Sequence, residues 1–111
     1  MVKGAYLENK IKTASPLELV IMAYEGSINF LQEAKKNMNS REYHKAGLLI
    51  VKARKIIQEL RRSLDMDIEA ISGNLFMLYQ AMDALLLRAG TGKDTLLIDR
   101  VVKMLSSLKE G

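Results

Sequence analysis

The sequence predicts an all-α protein, an antiparallel up-down-up-down four-helix bundle with an N-terminal arm. Among 111 residues there is one proline, so little interrupts long helices. Hydrophobic residues make up 49% of the chain and recur at helical spacing in four successive stretches. Short linkers between helices of similar length make sequential helices antiparallel. A chain of this length is expected to form a single domain.

The first predicted helix, residues 16–38, has a well-marked start. Ser15 is a preferred N-cap residue, Pro16 needs no N–H donor at the first helical position, and Glu18 completes a capping box. Apolar residues then recur on one face. They are Leu17, Val20, Ile21, Tyr24, Ile28, Leu31, Ala34 and Met38. We expect this face to pack in the core.

Three further helices are predicted, each after a residue that favours the N-cap position. They are residues 41–64 after Ser40, 68–89 after Asp67, and 95–109 after Asp94. Gly90 and Gly92 are expected to end the third helix and form the turn that follows it. The bundle therefore occupies residues 16–111.

Residues 1–15 precede the capped start and show only weak helical periodicity. We interpret them as an N-terminal arm or cap outside the bundle. Tyr6, Leu7 and Ile11 are the large apolar residues of this arm. Such side chains are expected to rest against another apolar surface.

The composition argues against several kinds of site. The absence of cysteine removes disulfides and thiolate zinc sites, and one histidine, His44, cannot supply the histidine pair of a di-iron bundle. The Gly90–Thr95 segment resembles a phosphate loop superficially, but it follows a predicted helix where that motif needs a strand. We therefore predict no enzymatic activity, no metal and no cofactor.

No stretch approaches the roughly 20 uninterrupted apolar residues of a membrane-spanning helix, so direct membrane insertion is not expected. The N-terminal ten residues lack the apolar segment of a secretory signal. These features favour a soluble protein in the cytoplasm.

The helices carry more apolar residues than one core-facing stripe each requires. The additional ones are Leu19, Met22, Phe30, Leu48, Val51, Phe76, Met77, Leu87, Leu97 and Met104. They either flank the core or line a groove for a partner helix, and the pattern leaves both open. Methionine side chains suit the second function because they adapt to an incoming chain.

Basic residues are concentrated in the second predicted helix. Between Ser40 and Leu64, seven basic and two acidic residues give +5, whereas the whole chain carries +4. Three interpretations follow: a solvated helix face, a surface that attracts an acidic protein segment, and a nucleic-acid footprint. No aromatic residues interleave with the basic ones as stacking platforms, which disfavours the third.

Several motifs occur in the order and spacing of a known family. They are Tyr6, Lys-Thr-Ala-Ser-Pro-Leu-Glu-Leu over residues 12–19, Tyr-Glu-Gly over 24–26, Tyr43-x-Lys45-Ala46 with Lys52-Ala53, and Asn74-Leu75-x-x-Leu78-Tyr79-x-x-Met82. From residue 6 to about residue 105, the chain resembles the flagellar export chaperone family FliS.

The resemblance implies a cytoplasmic, non-enzymatic chaperone that binds the disordered C-terminal segment of flagellin. Such a chaperone prevents premature polymerisation and delivers flagellin to the flagellar type III export apparatus. Further implied partners are the flagellar export gate and flagellar regulatory proteins, with no nucleic acid. The alternatives are another helical protein-interaction adaptor and, less favoured, a nucleic-acid-binding helical bundle.

The resemblance also implies two sets of binding residues. Tyr6, Leu7 and Ile11 would form a cap over a hydrophobic pocket until flagellin displaces it. The predicted flagellin groove lies on the second and third predicted helices. Its residues are Leu48, Val51, Ile57, Leu60, Leu64, Leu75, Leu78, Tyr79 and Met82.

Three features depart from the family pattern. Ala23 precedes Tyr24 where the family usually has leucine, which leaves a smaller side chain at a packing or groove position. Residues 66–70 replace a glycine-containing turn, so a tighter or more helical linker is expected there. The family's usual Leu-x-x-Ala-Trp element has no counterpart in residues 106–111.

Overall fold

The computed structural model describes residues 2–64 and 70–111. Within these ranges it contains helices and no strand. The helices are α1 Val2–Thr13, α2 Pro16–Asn39, α3 Tyr43–Arg62, α4 Ala70–Gly92 and α5 Thr95–Glu110. Helices α2 to α5 form a four-helix bundle in which α2 and α4 each pack against both α3 and α5. The predicted fold class is confirmed.

One apolar core fills the bundle, and each helix supplies residues spaced three or four apart. The buried apolar residues are Tyr24, Ile28, Leu31, Ala34 and Met38 of α2; Ala46, Ile50, Ala53, Ile57 and Leu60 of α3; Tyr79, Met82, Leu86 and Ala89 of α4; and Ile98, Val101 and Leu105 of α5. The alanines in this set are fully buried, and their small side chains let neighbouring helices approach closely.

The predicted start of α2 is confirmed in detail. The backbone N–H of Glu18 donates to Ser15 Oγ at 3.1 Å, and the N–H of Ser15 donates to Glu18 Oε1 at 3.2 Å. The hydrogen bond from the Ser15 backbone, with that from its side chain, holds the pKa of the Glu18 carboxyl below its ordinary value. The predicted Asp94 cap is also confirmed, since Asp94 Oδ1 accepts from Leu96 N at 2.9 Å.

The prediction of Ser40 as an N-cap is wrong. Its backbone N–H donates to the carbonyl of Lys36 at 3.1 Å, so Ser40 closes α2. Arg41 then adopts a φ of 61°, and α3 begins only at Tyr43. The N-cap residue of α3 is Glu42, whose side chain makes no capping hydrogen bond.

Gly90, predicted to end the third helix, lies inside it, and α4 ends at Gly92. The left-handed residue after α4 is Lys93, with φ 53°, and its Nζ lies 4.3 Å from the centre of the Tyr43 ring. This cation–π contact favours lysine at a position whose left-handed backbone conformation usually suits glycine. The predicted Asp67 cap and the predicted start at residue 68 lie outside the described residues.

The N-terminal segment is helical, which its weak periodicity did not predict. Helix α1 is not one of the four helices whose mutual packing forms the bundle. Its large apolar side chains are strongly exposed, with 67% of Tyr6, 50% of Leu7 and 47% of Ile11 accessible. The arm therefore contributes little to the core.

A pair of tyrosines joins α2 to α4 inside the core. The hydroxyls of Tyr24 and Tyr79 lie 2.6 Å apart, and both residues are buried. Burial raises the pKa of Tyr79 above its ordinary value, and the hydrogen bond to Tyr24 adds to this effect. Each hydroxyl is therefore the polar partner that permits burial of the other.

Replacing Tyr24 with phenylalanine is expected to lower the free energy of unfolding by about 1–3 kcal/mol, because the Tyr79 hydroxyl is left buried without this partner. The double variant Tyr24→Phe/Tyr79→Phe should cost less than the sum of the two single variants. Urea unfolding of all four proteins measures this coupling. Strictly additive effects would show that the hydroxyls do not stabilise one another.

Candidate functional site

An apolar hollow lies between α2 and α3 at the end of the bundle nearest the arm. Its walls come from Leu19, Val20 and Ala23 of α2 and from Ile56 and Leu60 of α3, and its volume is about 610 Å³. The remaining lining residues are Pro16, Glu59 and Ser63. Five apolar side chains thus face a space large enough to receive side chains of another helix.

A second hollow of about 590 Å³ continues along α2 and shares Leu19, Ala23 and Ile56 with the first. On its far side lie Leu7 and Ile11 of α1. The two hollows share these three wall residues, and we call them together the α2–α3 groove. The arm borders one half of this groove, and the other half is not lined by it.

Small residues on α2 explain the depth of the α2–α3 groove. Ala23 and Gly26 lie one turn apart on the face that carries Leu19, so α2 presents little side-chain volume there. A Cβ atom placed on Gly26 would lie 3.8 Å from Ile56 Cδ1, an ordinary contact distance. At Gly26 the two helices therefore lie close together, and the small side chains of α2 leave room for the hollow.

A further groove runs between α4 and α5, with a volume of about 500 Å³. Met82 is fully buried and forms part of its floor, while Leu78, Met104 and Leu108 line it. Its other lining residues are Arg100, Lys103 and Ser107. The α4–α5 groove therefore combines an apolar floor with basic groups.

The nine residues predicted to line one flagellin groove do not all lie on one surface. Four of them belong to the core: Ile57, Leu60, Tyr79 and Met82. Their helical spacing marked an apolar face, but that face is the one each helix turns toward the bundle interior. Of these four, Leu60 also borders the α2–α3 groove and Met82 the α4–α5 groove.

The other five predicted groove residues are also divided. Leu48 and Val51 are exposed on α3, and Leu78 lines the α4–α5 groove. Leu64 and Leu75 line a cavity of about 580 Å³ at the bundle end where Tyr24 and Tyr79 meet, and Leu60 and Tyr79 line the same cavity. The structure therefore brings four of the nine residues together in one cavity and distributes the other five over the core, the exposed side of α3 and the α4–α5 groove.

Two of the three predicted cap residues lie beside a groove. Leu7 and Ile11, four residues apart on α1, border the α2–α3 groove, whereas Tyr6 is not among its lining residues. All three remain exposed on α1. The side chains that could act as a cap are therefore close to an apolar surface without being buried in it.

The sequence pattern alone does not locate the α2–α3 groove. The pattern does not mark Val20 or Ile56 as binding residues, although it includes Leu19 and Met22 among the additional apolar side chains. That surplus was the available signal, together with the unusual alanine at residue 23. Neither signal specifies which neighbouring helix forms the other wall.

Within residues 2–64 and 70–111, no helix is long and apolar enough to cross a membrane. No group of three or more histidine, cysteine, aspartate or glutamate side chains that could hold a metal ion occurs in the same part of the chain.

Comparison with known proteins shows which family the chain resembles. The family model for the flagellar protein FliS matches residues 2–111. The flagellar secretion chaperone FliSB of Pseudomonas aeruginosa is 35% identical over 106 residues, which cover 95% of this chain and 84% of that protein. The flagellar secretion chaperone FliS of Bacillus subtilis is 33% identical over 91 residues, covering 82% and 68%.

A solved structure shares the fold. It is the crystal structure of a flagellar chaperone from bacteria, which matches with a TM-score of 0.82 and 25% sequence identity. The match covers 99% of this chain and 90% of that one. The similarity therefore extends to the arm as well as the bundle.

Proposed function

This chain belongs to the flagellar protein FliS family, and on that premise we propose that it is a cytoplasmic chaperone for flagellin. It holds the disordered C-terminal region of flagellin, prevents premature polymerisation and delivers the subunit to the flagellar type III export apparatus. Contacts to the export gate and to flagellar regulatory proteins belong to the same proposal. It has no enzymatic step.

The observation that supports this proposal best is the α2–α3 groove beside the exposed arm. A disordered segment that folds on binding loses about 2–5 kcal/mol of the interaction energy to ordering. Burial of one large apolar side chain contributes about 1.5–3 kcal/mol, so a few such anchors offset that cost. The α2–α3 groove and the α4–α5 groove offer apolar hollows of about 610, 590 and 500 Å³ for them.

The arm indicates what kind of segment fits the α2–α3 groove. Leu7 and Ile11 are four residues apart on α1, so both lie on the side of that helix that borders the groove. A client helix with apolar residues at the same spacing can enter the half that α1 does not line. Its advance along α2 then displaces α1, and the arm acts as a cap.

The experiment is isothermal titration of the wild-type protein with a peptide from the flagellin C-terminus. Replacing Leu19 with glutamine should weaken binding about tenfold, because roughly 1.4 kcal/mol of apolar burial is lost. Met77→Gln is the matched control, since Met77 is 69% exposed on α4 and lines neither groove.

Two results would count against the proposal. If the wild-type protein gives no binding to the C-terminal peptide, flagellin is not the client. If Met77→Gln weakens binding as much as Leu19→Gln, the client does not use the α2–α3 groove. Circular dichroism of both variants should show unchanged helix content, because glutamine is a good helix former.

A further inference from the structure

An exposed apolar face lies on α3 and α4, outside both grooves. Leu48 and Val51 of α3 are 53% and 42% exposed, and Leu87 of α4 is 49% exposed. Five positions separate Val51 from the groove residue Ile56, which places them about 140° apart around α3. Val51 therefore points away from the α2–α3 groove, and Leu48, eight positions from Ile56, lies about 80° from it around α3.

Two contacts fix the register of α3 against α4 on either side of this face. Arg54 Nε donates to Asp83 Oδ1 at 2.8 Å, and Gly90 lies beside Ile50 Cδ1. In antiparallel helices this register sets Val51 opposite Leu87. The two side chains therefore lie across the seam from each other and form one apolar patch with Leu48.

The charges around the patch are mainly positive. Lys52 and Lys55 follow Leu48 and Val51 by four residues, so each lysine lies one helical turn beyond an exposed apolar side chain. Lys52 Nζ lies 5.6 Å from the centre of the Phe30 ring, a contact that leaves its charge intact. Both lysines are exposed.

The nearby acidic groups already face basic partners. Asp83 accepts from Arg54 and from Gln58, whose Nε2 lies 3.3 Å from both carboxylate oxygens. Glu59 lies 3.8 Å from Arg62 Nε. The positive charge of Lys52 and Lys55 is thus left to attract an external anionic group.

We propose that Leu48, Val51, Leu87, Lys52 and Lys55, which we call the α3–α4 face, form a second docking surface for a partner that presents an acidic amphipathic helix. The apolar residues receive the apolar stripe of that helix, and the lysines meet its flanking carboxylates. A nucleic acid fits less well, because three aliphatic side chains lie at the centre and no exposed aromatic ring stands between the lysines.

The test uses fluorescence anisotropy with the full chain and two labelled helical probe peptides. Both peptides carry leucine at i, i+3, i+4 and i+7, and the other positions are glutamate in one peptide and lysine in the other. The glutamate peptide should bind about tenfold more tightly than the lysine peptide, and added salt should reduce that difference. Equal binding of the two peptides, or no binding of the glutamate peptide, would overturn the proposal.

Matched variants locate the site of binding. Val51→Gln/Leu87→Gln should weaken binding of the glutamate peptide about tenfold, because two apolar contacts are lost. Lys52→Gln/Lys55→Gln should remove most of the salt dependence. Leu19→Gln, in the α2–α3 groove, should leave this affinity unchanged. If Leu19→Gln weakens binding of the glutamate peptide as much as Val51→Gln/Leu87→Gln does, the peptide occupies the α2–α3 groove and the proposal fails.

The same variants separate this inference from flagellin binding. Val51→Gln/Leu87→Gln should leave the affinity for the flagellin C-terminal peptide unchanged. A loss of flagellin binding would assign the α3–α4 face to flagellin and overturn the proposal of a separate partner. A single-stranded oligonucleotide that displaces the glutamate peptide at equal concentration would assign the face to nucleic acid instead.

Discussion

Replacing Ile57 with alanine is expected to lower the free energy of unfolding by about 2–5 kcal/mol, through lost burial and the cavity left behind. Ile57 has no accessible surface and lies in the core on α3. Urea unfolding followed by circular dichroism measures the change. Leu48→Ala, at a residue 53% exposed on the same helix, is the control and should change stability by only about 0.5 kcal/mol or less.

This comparison decides between a core residue and a groove residue. If Ile57→Ala keeps wild-type stability but loses affinity for the flagellin peptide, Ile57 lines a groove after all. The same pattern would then be expected at Tyr79 and Met82, which occupy equivalent buried positions on α4. The core assignment is supported if Ile57→Ala lowers the free energy of unfolding but retains its affinity for the flagellin peptide. The affinity is measured at a temperature where the variant is folded.

Replacing Ala23 with leucine is expected to weaken flagellin binding by about tenfold to a hundredfold. The added side chain occupies space that the bound flagellin segment needs, and overpacking such a site costs about 1–3 kcal/mol. Ala23 lines both halves of the α2–α3 groove, so the added side chain stands where the halves join. Isothermal titration with the C-terminal flagellin peptide measures the loss. Thermal unfolding should show a folded variant of at least wild-type stability, since leucine fills open apolar space.

Ala84→Leu is the matched control, because Ala84 is exposed on α4 and lines neither groove. It should bind the peptide with wild-type affinity. Wild-type affinity in Ala23→Leu, combined with weakened binding in Leu19→Gln, would show that flagellin enters the groove without filling the junction. The groove would then remain the client site, while Ala23 would not set the size of the bound side chain.

Local sequence signals were sufficient to predict most of the fold. The start of α2 depends on Ser15 and Glu18, which bond to each other within one turn, so no tertiary information is needed. The stripe from Tyr24 to Met38 follows from helical spacing in the same way. A long periodic segment with a clear cap is therefore predictable from its own residues.

The conformations of the turns are harder to predict from local sequence than the helices are. Arg41 and Lys93 adopt left-handed backbone angles although neither is glycine or asparagine. In the case of Lys93, a contact with Tyr43 on a different helix accompanies that conformation. The glycines at 90 and 92 suggested an earlier end to α4, but they remain helical.

The site could be predicted only as a surplus of apolar residues. Leu19 and Met22 were recognised as additional to the core stripe, and both line the α2–α3 groove. The opposite wall, formed by Ile56, depends on which face of α3 meets α2, and periodicity within one helix does not contain that information. The burial of Ile57 beside the partly exposed Ile56 likewise depends on how α3 packs, because adjacent residues on a helix do not share a face.

The central claim is that this member of the FliS family binds the disordered C-terminal region of flagellin on apolar grooves of its bundle. It is tested most directly by isothermal titration of the wild-type protein with that flagellin segment at several temperatures. We expect binding with a negative heat-capacity change, as burial of apolar surface and coupled folding require. Absence of binding to the C-terminal segment, or equal binding to an unrelated disordered segment of the same length, would contradict the account.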